Sequence, residues 1–95
     1  MRLTQYELSA IQEEVYHLDA SAKIYLFGSR TNDDARGGDI DLLVLSDTLD
    51  FRDVLRLRIS ILDRIGWQQL DVILRKPNDT SDDFMLAIVK TGVQL

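Results

Sequence analysis

Three aspartates open two stretches of sequence that are otherwise apolar. Asp39 and Asp41 begin DIDLLVLS, residues 39–46, and Asp71 lies near the start of QLDVILR, residues 69–75. Residues two apart on a strand point to the same face of a sheet, so Asp39 and Asp41 are expected to project together. Adjacent carboxylates repel, and one takes up a proton unless a cation lies between them. Mg²⁺, which binds one or two carboxylates together with substrate phosphates, meets that need.

A Gly28-Ser29 turn precedes the first two aspartates by nine residues. Glycine lets a backbone approach a phosphate without a Cβ in the way, and amides in such a turn form an anion-binding nest. The Ser29 hydroxyl is then a donor to a phosphate oxygen, and Arg30 is a further contact for a triphosphate. An ordinary strand-ending turn and a solvated arginine are the alternatives. The same two interpretations apply to three basic residues expected near this edge: Arg36, Arg75 and Lys76.

The apolar periodicity predicts alternating helices and strands in the order α-β-β-α-β-α. A Thr4–Glu7 capping box starts the first helix, and Asp50 is a cap for the second. Gly92 ends the last helix, whose cap is expected at Thr80 or Ser81. The predicted ranges are a helix over 5–19, a strand over 23–28, a loop over 29–38, a strand over 39–46, a helix over 51–66, a strand over 69–75, the last helix to 92, and a short edge strand over 93–95.

One topology brings the three aspartates to the same edge of a sheet. The first strand must run antiparallel to the second, and the third parallel to the second. The helix over 51–66 is then the right-handed crossover that a parallel pair requires. Its apolar arc of roughly 200° is wider than a surface helix usually needs. Arg58 falls inside that arc, where it either extends to the edge of the apolar surface or meets an acidic partner.

Length and composition indicate one small α/β (α+β) domain with a single mixed sheet over residues 1–95. The chain has no cysteine, which excludes disulfides and zinc–thiolate sites. The net charge of −5 argues against direct binding to nucleic acid, which needs clustered Lys and Arg. The sequence contains no run of about 18 apolar residues, so no membrane span is predicted, and no secretory leader is visible. A cytoplasmic location is therefore expected.

The combined pattern of Gly28-Ser29, nine residues, Asp39-Ile40-Asp41 and a later strand with Asp71 resembles the signature of the DNA polymerase β-type nucleotidyltransferase superfamily. The short chain resembles its minimal nucleotidyltransferase branch, as does the ending Gly92-Val93-Gln94-Leu95. The spacing of nine residues lies at the short end of the family's range. Gly38 stands where a serine is often found, which removes one hydroxyl from the expected phosphate contacts.

The resemblance implies a role for each matching residue. Gly28 and Ser29 would hold the triphosphate of ATP, and Asp39 and Asp41 would bind two magnesium ions. Asp71 would bind the catalytic ion and help to deprotonate an acceptor hydroxyl. Members of the minimal branch often pair with a helical HEPN-domain toxin, act as its antitoxin and transfer AMP to it. The resemblance thus implies a nucleoside triphosphate and a HEPN-type toxin as partners.

Two functions remain open from the sequence. The first is nucleotidyl transfer from ATP to a partner protein. The second is a binding module without turnover, which masks a partner through its acidic face and wide apolar helix. Either function is compatible with a homodimer or a hetero-oligomer.

Overall fold

The computed structural model describes residues 3–28 and 39–95. Within these ranges the chain forms three helices and four strands, which confirms the predicted order and adds the short strand expected at the end. The elements are α1 Gln5–Leu18, β1 Lys23–Phe27, β2 Ile40–Leu45, α2 Phe51–Ile65, β3 Leu70–Arg75, α3 Asp83–Thr91 and β4 Val93–Gln94.

The four strands form one mixed sheet in the order β3-β2-β1-β4. β1 pairs antiparallel with β2 and with β4, whereas β2 pairs parallel with β3. The parallel pair is the one that α2 connects, as a crossover must. The topology predicted from the sequence is therefore confirmed, and β3 and β4 are the edge strands of the described sheet.

Side-chain caps fix the starts of the first two helices. Thr4 and Asp50 each accept a hydrogen bond from the backbone N–H three residues on, at 3.0 Å in both cases. The carboxylates of Glu7 and Asp53 in turn accept hydrogen bonds from the backbone N–H of Thr4 and Asp50, so both helix starts are complete capping boxes. Among the described residues, no helix is both long enough and apolar enough to cross a membrane.

The sheet buries both of its faces, but unequally. Alternation along the central strands sends Ile40, Leu42 and Val44 to the face covered by α1 and α2, where the main core lies. Leu43 and Leu45 point to the opposite face, where α3 covers a smaller cluster with Met85, Ile88 and Tyr25. The second face is the one on which residue 41 lies, because it has the parity of residue 43.

The start of α3 differs from the prediction. Asp82, and not Thr80 or Ser81, is the N-cap, and its carboxylate accepts from the backbone N–H of Met85 at 2.9 Å. Ser81 is already engaged, because its N–H and hydroxyl both donate to Asp79. The other Asp82 oxygen accepts from Arg75 Nε at 2.9 Å, which ties the cap to the end of β3. An ion pair across the loop between β3 and α3 therefore favours Asp82 over its neighbours as the cap.

A polar network closes the end of the sheet beyond β2. The Ser46 side chain, 4% exposed, donates to Asp19 Oδ2 at 2.6 Å and accepts from the backbone N–H groups of Thr48 and Leu49. Asp19 also accepts from Ser21 N–H at 2.9 Å. The Ser46 hydroxyl, followed by the Ser21 N–H, holds the pKa of the Asp19 carboxyl below its ordinary value. Asp19 thus joins the end of α1 to the turn that leads into α2.

Replacing Asp19 with alanine is expected to lower the free energy of unfolding at neutral pH by about 1–2 kcal/mol, because the buried Ser46 hydroxyl loses its acceptor. The folded pKa is depressed, so this stabilisation is present above the unfolded pKa of about 3.9 and is lost as pH falls through the folded value. Urea titrations of wild type and Asp19→Ala from pH 7 to pH 2.5 would measure it. The difference should shrink below pH 4, while the exposed Asp47→Ala control stays near wild type throughout. An equal difference at all pH values would contradict this account.

Candidate functional site

Sheet register brings two of the three predicted aspartates side by side. Asp41 on β2 is the register partner of Asp71 on β3 in the parallel pair. Register partners on neighbouring strands lie on the same face, with backbones about 4.8 Å apart. Both side chains therefore extend from the face that carries α3, at the end of the sheet where β2 and β3 begin. The juxtaposition that the topology predicted for these two residues is confirmed.

The Asp41 carboxylate lies in an unfavourable electrostatic environment. Its side chain is only partly exposed, whereas Asp39 and Asp71 are exposed. Burial raises the pKa of Asp41 above its ordinary value, and the negative charges of Asp71 and Asp39 and a hydrogen bond with Asp71 raise it further. Asp41 therefore interacts electrostatically with both of the other acids. A cation bound between them would relieve the repulsion.

Asp39 stands just before β2, two residues from Asp41, and Ile40 between them is fully buried against α1 and α2. The Ile40 N–H donates to the Gln69 carbonyl at 3.0 Å, which fixes the start of the β2–β3 pairing. In residues 3–28 and 39–95, no group of three or more acidic or histidine side chains is arranged to hold one metal ion. The adjacent pair Asp41 and Asp71 nevertheless fits Mg²⁺, which takes one or two protein carboxylates and completes its shell with phosphate and water oxygens.

Gly28 follows β1 directly and lies against the Asp41 carboxylate. Phe27, the last residue of β1, is the register partner of Asp41. A Cβ built on Gly28 would overlap Asp41 Oδ2 and stand 3.2 Å from its Cγ. Gly28 also has φ of +76°, where side chains other than glycine are strained. Two separate constraints therefore require glycine here: the positive φ, and the overlap of any Cβ with the Asp41 carboxylate.

Arg58 holds the strand that carries Asp71. Its Nε donates to the Leu70 carbonyl at 3.1 Å, although the residue is positioned within the apolar arc of α2. Leu70 is fully buried and immediately precedes Asp71. The sequence left two alternatives for Arg58, extension to the edge of the apolar surface or contact with an acidic partner. In the structure its guanidinium instead binds a backbone carbonyl oxygen. It fixes the beginning of β3 relative to α2.

Sequence reasoning did not single out two neighbours of the acids. Phe27, beside Asp41, makes an edge-to-face contact with Phe84 of α3, with ring centroids 6.1 Å apart. This pair joins α3 to the sheet next to the acids. Gln69 donates to Asp71 Oδ1 at 3.5 Å, the outer limit of a hydrogen bond. Gln69 is two residues from Asp71, and residues two apart on a strand lie on the same face of the sheet. This spacing could have identified Gln69 from the sequence.

The basic residues expected near the acids are distributed differently. Arg75 lies at the other end of β3, four residues or about 13 Å from Asp71, and pairs with Asp82. Lys76 follows it, so the expectation that these two residues share an edge with the aspartates is wrong. The error arose because both ends of a short strand are close in sequence. The predicted phosphate contacts Ser29 and Arg30, together with Arg36, lie outside the described residues.

Comparison with known proteins agrees with this arrangement. A family model described as polymerase beta, nucleotidyltransferase, matches residues 9–95, which include all of the sheet and the three aspartates. A search among curated proteins gives no match. A match over nearly the whole chain shows the family, so this protein belongs to the polymerase beta nucleotidyltransferase family.

Proposed function

We propose that this protein transfers AMP from ATP to a hydroxyl group of a partner protein, with Mg²⁺ held by Asp41, Asp71 and Asp39. The observation that carries the proposal is the pairing of Asp41 with Asp71 in a chain of this family, with Gly28 directly against Asp41. Two magnesium ions are the expected complement, since two ions clamp the attacking and leaving oxygens of a phosphoryl displacement.

In the proposed reaction, the acceptor oxygen forms a bond to the α-phosphorus of ATP. The bond from that phosphorus to the oxygen bridging to the β-phosphate breaks, and pyrophosphate leaves. Asp71, at the exposed edge strand, accepts the proton from the acceptor hydroxyl. Asp41 and Asp39 supply negative charge that binds the metal–nucleotide complex. Magnesium held by these residues would neutralise charge on the phosphates, which is the main requirement of such a transfer.

A HEPN-type toxin is the proposed acceptor protein, with this chain acting as its antitoxin. Support comes from the segment Gly92-Val93-Gln94-Leu95, which resembles the minimal nucleotidyltransferase branch, in a chain that carries the superfamily pattern. The net charge of −5 also favours a protein acceptor over a nucleic acid, whose phosphates an acidic surface repels.

A second candidate is an antitoxin that neutralises its partner by binding alone. The observation that favours it is the exposure of large apolar side chains on α2, with Phe51 73% and Ile59 70% exposed. The two functions differ in their need for the acids. A binding module works without Asp41 and Asp71, whereas a transferase does not.

Asp41→Asn or Asp71→Asn is expected to abolish the Mg²⁺-dependent part of ATP binding, measured by calorimetry with and without the metal. Either change should also raise the melting temperature of the metal-free protein by about 2–4 °C, or about 0.5 kcal/mol, because it removes a repulsion. The exposed Asp63→Asn on α2 is the control for loss of one negative charge. Unchanged metal dependence in both variants would contradict the assignment of these residues.

Substitution of Gly28 by alanine is expected to weaken Mg²⁺–ATP binding at least about tenfold, because the added methyl group displaces the Asp41 carboxylate. Gly66→Ala is the matched control. Gly66 also has positive φ, +88°, but a Cβ there meets nothing within 4 Å. Both variants therefore incur backbone strain on the order of 1–3 kcal/mol, and only one disturbs the acid. Equal loss of binding in the two variants would refute a specific role for Gly28.

Incubation with α-labelled ATP, Mg²⁺ and the product of the neighbouring gene should leave label covalently on that protein. Asp41→Asn should reduce the transfer rate at least about 100-fold, since the charge stabilisation it removes acts on the transition state. Absence of label with every nucleotide tested would contradict the transfer function. Neutralisation of the partner by the Asp41→Asn, Asp71→Asn double variant, as well as by wild type, would establish the binding function instead.

A further inference from the structure

One flank of α2 carries large apolar side chains that the fold leaves uncovered. Phe51, Leu55 and Ile59 recur every four residues and are 73%, 43% and 70% exposed. Residues four apart lie above one another on a helix, so these three form one continuous row, here called the α2 stripe, which ends beside the buried Leu62. Core packing does not require this row, because α2 already buries Val54, Leu57, Ile61 and Leu62. An exposed apolar row of this extent is typical of an interaction surface.

The α2 stripe continues into the surface at both ends of the helix. Ile59, Leu62 and Asp63 line a depression of about 310 Å³ together with Trp67, which is 89% exposed. At the other end, Phe51 borders a groove of about 370 Å³ beside β3. The surface therefore runs from the edge of the sheet, along the whole helix, to the tryptophan beyond its C-terminus.

The edge strand next to the stripe is poorly suited to pair with an added strand. In a parallel pair, alternate residues direct their backbone groups to the neighbour, and Gln69 and Arg75 are bonded to β2 in this way. The carbonyls of Leu70, Val72 and Leu74 consequently point outward. Arg58 and Arg75 occupy the first and the last of them, at 3.1 and 2.9 Å. A helix, which needs no backbone partner, fits this surface better than a strand does.

We propose that the α2 stripe is a dimer interface, in which α2 of a second copy packs antiparallel about a twofold axis between Leu55 and Ile59. In this register, Leu55 of one copy faces Ile59 of the other. Phe51 faces the depression that Ile59, Leu62 and Trp67 line, so every member of the row meets an apolar surface. The surface is thus complementary to itself, which is the requirement of a twofold interface.

Charge placement supports the same register. Arg52 and Asp63 are both exposed and are eleven residues apart, about three helical turns, so they share one flank of α2. An antiparallel pair that sets Leu55 against Ile59 also sets Arg52 against Asp63 of the second copy. Symmetry makes this ion pair twice. Two copies with a net charge of −5 each repel at long range, so such local pairing is needed at their contact.

The surface is large enough for a modest dimer. The four exposed apolar side chains, Phe51, Leu55, Ile59 and Trp67, offer on the order of 500 Å² per copy. Stable interfaces bury about 800 Å² per partner, and the flanking charged side chains supply the remainder.

Both proposed nucleotide sites stay accessible in this dimer. The crossover makes α2 run opposite to β2 and β3, so its C-terminal end lies toward Asp41 and Asp71. Antiparallel packing of two such helices places the two acid pairs at opposite ends of the assembly. The interface does not depend on the proposed activity, and metal binding is expected to survive its disruption.

Sedimentation equilibrium of the full chain from 1 to 200 µM should show a mass rising from 10.9 kDa toward twice that value. The only tryptophan, Trp67, should shift its fluorescence to shorter wavelength over the same range. Ile59→Glu should remain monomeric with an unchanged circular dichroism spectrum, because this side chain is exposed. Leu86→Glu, at an exposed apolar position of α3, is the matched control and should dimerise as wild type does. A monomeric wild type at all concentrations, or a dimeric Ile59→Glu, would overturn the proposal.

Charge reversal tests the register itself. Arg52→Asp and Asp63→Arg should each raise the dimer dissociation constant about tenfold, and the double variant should restore it. Each single change suits the helix macrodipole, with an acid in the first turn and a base near the last, so weaker dimerisation cannot arise from loss of the helix. Failure of the double variant to recover dimerisation would exclude this antiparallel register.

Discussion

The repulsion between two carboxylates that the sheet holds in register is the constraint on which the site depends. Asp41 and Asp71 are fixed on neighbouring strands by parallel pairing, so backbone hydrogen bonds keep them together against their charge. Burial and like charge raise the pKa of Asp41 for this reason. A fold that maintains such a pair is preorganised to bind a cation, because folding has already brought the two carboxylates together against their electrostatic repulsion.

The elements around this pair each contribute to that constraint. α2 supplies the crossover that makes β2 and β3 parallel, and Arg58 on the same helix fixes Leu70 at the start of β3. Gly28 leaves the space that the Asp41 carboxylate fills. One helix therefore combines the connection, the anchoring of an edge strand and an exposed apolar row, and its two flanks serve different purposes.

Sequence patterns predicted the element order, the strand directions and the meeting of Asp41 with Asp71. These features follow from local periodicity and from the handedness of crossovers, which leave few topologies for so short a chain. Other features depended on contacts between distant residues. Asp82 caps α3 because Arg75 holds it, although its polar neighbours are equally suitable by type. The Arg58 contact was equally unpredictable, since it depends on where β3 comes to lie. The roles of Ser29 and Arg30 remain predictions, as do the metal and the partner.

The occupied carbonyls of β3 have a consequence for the behaviour of the protein at high concentration. Growth of cross-β fibrils requires a strand edge whose donors and acceptors are available to the next molecule. The sequence of β3, LDVILR, is rich in the branched residues that such fibrils favour, and it lies at an edge. The guanidinium groups of Arg58 and Arg75 occupy its outward Leu70 and Leu74 carbonyls and place positive charge there. Two of the three outward carbonyls of β3 are thereby unavailable to a further strand, which disfavours aggregation through this edge.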